Sequence, residues 1–213
     1  MESIHLRRGF SLIELLVVFA IMTVITSAVL TSQSSFNKTL TLANTAYDVA
    51  LSLRSAEGFG LGSRTAAGVS LGVGYGIHFD GTPTSSYTLF ADKNAPNPAM
   101  CHHLPPSGDK DAPDAQYGNC EYDSGEKISD YTIGNGITIS GLCSRKSFGA
   151  CTPATSLDIV FVQPDPKAYM SADGAYSSAI TSACITLTSA QGGSYYVSVT
   201  SAGGIMASAT SCL

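Results

Sequence analysis

The sequence contains no tryptophan, few charged side chains and no basic stripe. Charged residues make up 13% of the chain and its net charge is −5. Proteins that hold DNA through its phosphates need clustered lysine and arginine. This composition therefore does not indicate DNA binding, and only a basic patch assembled by folding would provide for it.

Assembled catalytic or cofactor-binding motifs are also lacking. Gly68–Gly72 fits the G-x-S-x-G pattern of a serine nucleophile, but strand or turn residues follow it where that motif requires a helix. Gly72–Gly76 lacks the third glycine of a dinucleotide-binding turn. The sequence consequently predicts no enzyme and no cofactor.

Metal-ligand patterns are weak as well. Cys101 is followed by His102 and His103, but no C-x-x-C motif accompanies them, so no metal site is predicted. The spacing of five acidic residues fits no EF-hand loop, although a calcium site or a partner-binding role for the 92–130 loop stays open. These residues are Asp109, Asp111, Asp114, Asp123 and Glu126.

Proline is absent from Phe10 to Phe59, so one helix can cover the whole stretch, about 75 Å at about 1.5 Å per residue. Three glycines predict where it ends, at Gly58, Gly60 and Gly62. Beyond Leu30 the pattern turns amphipathic, and we expect one helix face to pack on a globular head, because the residues of that face recur every three or four positions. These are Phe36, Leu40, Ala43, Tyr47, Ala50, Leu51 and Arg54.

What is abundant is apolar sequence near the N-terminus. The run Phe10–Leu30 has 21 residues, enough for a helix of about 30 Å that crosses a bilayer. One acid, Glu14, interrupts it, and a carboxylate at the centre of a membrane costs roughly 2.5–3.5 kcal/mol on insertion scales. Since no cation lies nearby in the run, we expect its partner to come from another molecule.

The segment Gly9-Phe10-Ser11-Leu12-Ile13-Glu14 resembles the cleavage and methylation signature of type IV pilins and type II secretion pseudopilins. The resemblance implies that prepilin peptidase cuts between Gly9 and Phe10 and converts Phe10 to N-methylphenylalanine. It also implies that Glu14, the fifth mature residue, meets the N-terminal amine of a neighbouring subunit during filament assembly.

The resemblance implies a structural subunit, a minor pilin or pseudopilin of a type IV pilus or type II secretion system. Its partners would be prepilin peptidase, other pilin subunits, the inner-membrane assembly platform and membrane lipid. Arg7 and Arg8 favour a cytoplasmic N-terminus, which leaves the head outside the cytoplasm. Three alternatives stay open: an ordinary secretory signal cleaved near Thr26-Ser27-Ala28, a plain uncleaved membrane anchor, and a tip subunit whose head binds DNA, a surface or an exported protein.

After the helix the pattern changes to short alternating strands, so we predict an α+β fold with a pilin-like helix packed on an antiparallel sheet. The expected divisions are a leader at 1–9, a membrane half at 10–30, an amphipathic half at 31–60 and a head at 61–213. Predicted strands are Ala67–Leu71, Tyr75–Phe79, Tyr87–Phe90, Thr132–Ile133, Ile137–Ile139, Leu157–Val162 (stopped by Pro164 and Pro166), Cys184–Thr188, Tyr195–Thr200 and Ile205–Met206, with a polar loop over Asp92–Asp130.

The head also resembles H-type pseudopilins and FimT-like minor pilins in three places: Ala46–Arg54 with Arg64 after it, Tyr75–Phe79, and Ser201–Ile205. It differs from them in the long 92–130 insert and in its cysteines.

All six cysteines follow the apolar run: Cys101, Cys120, Cys143, Cys151, Cys184 and Cys212. An even number confined to the exported part indicates disulfide bonds formed in an oxidising compartment. Proximity along the chain favours Cys101–Cys120, Cys143–Cys151 and Cys184–Cys212. Other pairings stay open at this point.

Overall fold

The structure is a computed structural model that describes residues 10–62, 73–93, 101, 118–147, 149–163 and 165–212, without the side chains of 31–36. The chain divides into two compact units, Met1–Leu40 and Thr41–Leu213. The predicted strand Ala67–Leu71 lies outside the described residues.

One helix, α1, covers Leu12–Leu61. It ends at Leu61, within the glycine cluster where the sequence predicts its end, and Gly62 is the first residue after it, while Gly58 and Gly60 are still helical. Gly60 lies against the backbone of Phe161, where an added Cβ would collide with the carbonyl oxygen. The absence of a side chain at Gly60 therefore allows α1 to approach the strand that contains Phe161.

The second unit contains antiparallel strands, as the α+β prediction requires. The described strands are β1 Gly74–Asp80, β2 Ser86–Asp92, β3 Lys127–Thr132, β4 Ile137–Lys146, β5 Thr152–Ala154, β6 Ser156–Val162, β7 Asp165–Ala172, β8 Ala175–Tyr176, β9 Ile180–Ser189, β10 Ser194–Thr200 and β11 Ile205–Ser208. The fold class is therefore confirmed.

These strands form two sheets, a division that the alternating pattern alone does not reveal. Sheet A has the order β3-β2-β1-β6-β7-β8, and sheet B has the order β11-β10-β9-β4-β5. One main core joins the second half of α1 to both sheets, with Leu53, Phe161 and Ile185 among its fully buried side chains.

The buried stripe of α1 differs from the predicted one. Helix positions every three or four residues face the core: Leu42, Ala46, Val49, Leu53, Ala56 and Gly60. Of the residues expected there, Ala50 is buried, whereas Leu40, Tyr47, Leu51 and Arg54 are exposed. The small residues of the buried stripe allow the helix to lie close to the strands, as Gly60 does against Phe161.

Two polar contacts hold this half of α1 in place on either side of the stripe. The Ser52 and Tyr87 hydroxyls are 2.9 Å apart and connect the helix to β2. On the other side, Arg54 Nη2 donates to the carbonyl oxygen of Ile205 at 3.0 Å, at the start of β11. Arg54 is thus exposed yet still bonded to the head.

Several strand boundaries also differ from the prediction: β3 begins at Lys127, β4 extends to Lys146 and β9 begins at Ile180. The insert is shorter than Asp92–Asp130, because Asp92 ends β2 and Lys127 begins β3. β6 ends at Val162, as predicted, and Pro166 lies within the next strand, β7, beside an irregularity in the pairing of β7 with β6. That irregularity accommodates a residue without a backbone N–H.

Candidate processing and assembly site

The helix start is built around Ser11. Phe10 and Ser11 precede the first residue of α1, and the Ser11 hydroxyl accepts a hydrogen bond from the backbone N–H of Glu14 at 3.3 Å. The Ser11 carbonyl accepts from Glu14 N at 3.1 Å and from Leu15 N at 3.2 Å. Ser11 is therefore the N-cap, and Ser11 with Glu14 has the spacing of a capping box.

Sequence reasoning missed this role of Ser11, although S-x-x-E before an apolar run is a known helix-start signal. The cap explains why the residue after the predicted cut is not helical. Phe10 is 78% exposed. Gly9, Arg7 and Arg8 lie outside the described residues.

Glu14 lies in the first turn of α1 and is exposed. Among the described residues no ion pair involves it. Helix N-termini carry partial positive charge, which favours a carboxylate there. The partial positive charge at the capped helix start stabilises the Glu14 carboxylate in part, but it does not amount to a full counter-charge.

The segment that follows is long and apolar enough to cross a membrane by length and composition. Leu12–Leu30 has a mean hydropathy of 2.5, and none of it is buried. Its hydroxyls turn inward onto the helix backbone: Thr23 Oγ1 donates to Phe19 O at 3.0 Å, Thr26 Oγ1 to Met22 O at 2.7 Å, and Ser27 Oγ to Val24 O at 2.9 Å. Such internal bonds satisfy polar groups that lipid cannot.

Three disulfide bonds join Cys101 to Cys120, Cys143 to Cys151 and Cys184 to Cys212. These are the pairs that proximity along the chain favours. The predicted presence of disulfide bonds is confirmed. In the described part of the chain, two groups of potential metal ligands come together, and both contain disulfide-bonded cysteines. None of those cysteines is free, so none offers a thiolate to a metal ion.

The first disulfide helps to hold segment 118–126 against sheet A. Cys101 and Cys120 pack with Phe90, Val160 and Tyr122 in a second apolar cluster. Buried carboxylates accept backbone N–H groups there, Asp92 from Asn119 and Cys120, and Glu126 from Lys93 and Asp123. The acidic residues at this end of the insert thus serve the fold, and the other calcium candidates, Asp109, Asp111 and Asp114, lie outside the described residues.

A hydrogen-bonded pair of a partly buried histidine and a buried aspartate lies beside this segment. His78 Nδ1 is 2.6 Å from Asp158 Oδ1, and the His78 ring lies tilted against the Tyr122 ring with centroids 4.6 Å apart. Burial raises the pKa of Asp158, and the bond to His78 opposes that rise. No sequence pattern predicts this pair, because its members are on β1 and β6 and meet only through strand register.

The serine motif Gly68–Gly72 lies outside the described residues. His78 contacts Asp158 and not the neighbouring Asp80 of its own strand. With Tyr122 covering the ring, the pair fits a role in fastening segment 118–126.

Residues 4–30 match the family model of the prokaryotic N-terminal methylation motif. This is the signature of type IV pilin and pseudopilin precursors, so the resemblance based on Gly9–Glu14 is confirmed. The motif implies processing by prepilin peptidase and assembly with other pilin subunits, and it points to a structural subunit rather than an enzyme. Neither the curated proteins nor the solved structures give a match, and the resemblance of the head to particular pilin subfamilies stays a prediction.

Proposed function

We propose that the chain is a minor pilin or pseudopilin, cut between Gly9 and Phe10, methylated at Phe10 and packed into a filament through α1. The observation that carries the proposal is the methylation motif at residues 4–30, directly followed by an unburied apolar helix. In this proposal 1–9 is the leader, 10–30 the membrane and assembly half, 31–60 the amphipathic half and 61–213 the head.

The start of α1 supports the cut. Because Ser11 caps the helix, Phe10 remains outside it and exposed. A peptidase binds an extended stretch around the bond that it cleaves, and glycine before the bond adds no side chain. The new amine at Phe10 would stand four residues from Glu14.

Glu14 would then receive its counter-charge from another subunit. A carboxylate and an amine attract far more strongly in an apolar medium than in water, and pairing offsets part of the cost of burying each. The pair would fix the axial register of subunits, while the apolar side chains of Leu12–Leu30 would supply the packing.

The membrane anchor is consistent with the motif and the apolar helix, and we place the leader in the cytoplasm and the head outside it. Arg7 and Arg8 support that direction through the positive-inside bias. The three disulfides support an oxidising compartment for the head. Nothing in the described residues favours DNA, a surface or an exported protein as a ligand of a tip subunit.

The test is Glu14→Gln in the full chain. Glutamine also suits the third helix position of a capping box, so the helix start is preserved and only the charge is removed. We expect a mass fitting methylated Phe10 and a normal amount of membrane protein, but loss of the subunit from sheared filaments.

Ser11→Ala is the matched control, because it removes the cap, worth about 1 kcal/mol, and keeps the charge. It should still enter filaments. Normal incorporation of Glu14→Gln would remove the role given to the carboxylate, and recovery of the chain with residues 1–9 still attached would end the proposal as a whole.

A further inference from the structure

The outer face of sheet B carries two disulfides side by side. Cys143 on β4 and Cys184 on β9 are direct register partners. Cys143 is bonded to Cys151, and Cys184 is bonded to Cys212. The sulfurs of Cys143, Cys184 and Cys212 all lie within 4.8 Å of one another.

The strand register also allows a disulfide bond between Cys143 and Cys184. Residues directly opposite in an antiparallel ladder have Cα atoms about 4.5–5.5 Å apart. Disulfides bridge Cα atoms roughly 4.4–6.8 Å apart, so Cys143 and Cys184 meet that requirement without movement of the strands.

The remaining disulfide has different surroundings. Cys101 is 9% exposed and Cys120 is fully buried, and a carboxylate oxygen of Asp92 lies within 4.8 Å of both sulfurs. A neighbouring negative charge and burial both disfavour the thiolate that exchange requires.

At the sheet B pair the surroundings favour exchange. Cys143, Cys151 and Cys212 are only partly buried, which gives a thiol in solution access to them. Arg145 follows Cys143 by two residues on β4, so strand alternation places both on the same face. Its Nε is buried without a hydrogen-bond partner among the described atoms, and a nearby positive charge favours a thiolate.

We infer that Cys143–Cys151 and Cys184–Cys212 form a single thiol–disulfide exchange site, a property that does not depend on filament assembly. An external thiolate, from a small thiol or a redox protein, bonds to Cys151 and expels the Cys143 thiolate. That thiolate attacks Cys184, forms the Cys143–Cys184 bond and expels the Cys212 thiolate.

The Cys212 thiolate then attacks Cys151, forms the Cys151–Cys212 bond and returns the external thiolate. Two disulfides are present before and after, so no net oxidation or reduction occurs. The product joins β4 directly to β9 and ties the C-terminal segment to the loop after β4, in place of its bond to β9.

The test uses the full chain, folded in detergent, with single cysteines replaced. In Cys151→Ser the free thiol begins on Cys143 and should move to Cys212 as the Cys143–Cys184 bond forms. In Cys212→Ser it begins on Cys184 and should move to Cys151 with formation of the same bond. Alkylation followed by peptide mapping shows both the labelled thiol and the linked pair.

Cys101→Ser is the matched control, since its free thiol on Cys120 should stay there. A Cys143–Cys184 peptide in either sheet B variant supports the inference, and if one variant fails to fold the other decides. Label that stays on Cys143 and Cys184 overturns it. The inference is also overturned if a Cys143–Cys184 peptide is found only together with peptides that link these cysteines to Cys101 or Cys120. Such a mixture of disulfide pairings arises from unfolded chain.

Discussion

The two ends of α1 place their side chains in opposite surroundings. Leu12–Leu30 is apolar on every side, and none of it is buried. From Leu42 to Gly60 one stripe is buried under the strands, while Tyr47 and Leu51 on the other side remain 57% and 62% exposed. A helix that is apolar all round requires lipid or other protein about it, whereas one stripe suffices to pack on a head.

The buried stripe combines small and larger apolar residues, with Ala46, Ala56 and Gly60 beside Leu42, Val49 and Leu53. The exposed side carries the polar residues Asn44, Asp48 and Arg54. The small residues allow the backbones of helix and strands to pack closely, which is clearest at Gly60.

The largest expected effect comes from breaking the buried stripe. Leu53 is fully buried, so Leu53→Ala should lower the free energy of unfolding by about 2–5 kcal/mol. Denaturant unfolding of the full chain in detergent measures this, with tyrosine near-UV circular dichroism as the signal because tryptophan is absent.

Leu51→Ala makes the same chemical change two residues away on the exposed side. It should alter the free energy of unfolding by less than about 0.5 kcal/mol. Equal losses for the two variants would contradict the assignment of faces.

A smaller effect distinguishes two glycines of the same helix. A Cβ at Gly60 would meet the carbonyl of Phe161, so Gly60→Ala should cost about 1–3 kcal/mol. A Cβ at Gly58 meets nothing within 4 Å, and Gly58→Ala should gain about 0.5–1 kcal/mol through helix propensity. The same unfolding measurement applies, and a gain at both positions would show that the helix does not approach β6 as described.

The smallest expected effect is a pH dependence of the stability of the head, which arises from Asp173. Asp173 Oδ1 accepts from Thr155 N at 2.6 Å, from Thr155 Oγ1 at 2.7 Å and from Ser156 N at 3.3 Å. These bonds lower the pKa of Asp173 below its ordinary value. Its contribution to stability is therefore present above the pKa of the unfolded chain and is lost as the pH falls through the folded-state pKa.

Asp173→Asn keeps a side chain that tolerates the positive φ of 56° at this turn and removes the charge. The variant should be less stable than the parent at neutral pH, and the gap should narrow as the pH falls below about 3.9. Unfolding curves at several pH values measure this difference in the free energy of unfolding. Thr155→Val, which removes one of the three hydrogen bonds to Asp173, should reduce the difference in part. A gap that stays constant with pH would rule out the charge as its cause.

The N-terminal motif could be predicted from sequence because its information is local. Gly9, Phe10 and Glu14 lie within six consecutive residues, and the Ser11 cap follows from the four-residue pattern Ser11–Glu14 inside that segment. The hairpin of β9 with β10 could be predicted for the same reason, since a glycine turn separates two alternating runs.

What sequence could not supply are contacts set by strand register. His78 meets Asp158, and Cys143 lies opposite Cys184, only because distant strands pair at particular offsets. The exposed Tyr47 stripe was predicted as buried because periodicity shows where apolar residues recur but not which side a sheet will cover.

The inward hydroxyls of Thr23, Thr26 and Ser27 have a consequence for transfer between surroundings. Each carries its own acceptor on the helix, so exchanging lipid for neighbouring protein breaks none of these bonds. In the proposed passage from membrane to filament, Glu14 would then be the side chain of Leu12–Leu30 whose electrostatic energy changes most, and the first turn of α1 would be the place where departure from the bilayer is sensed.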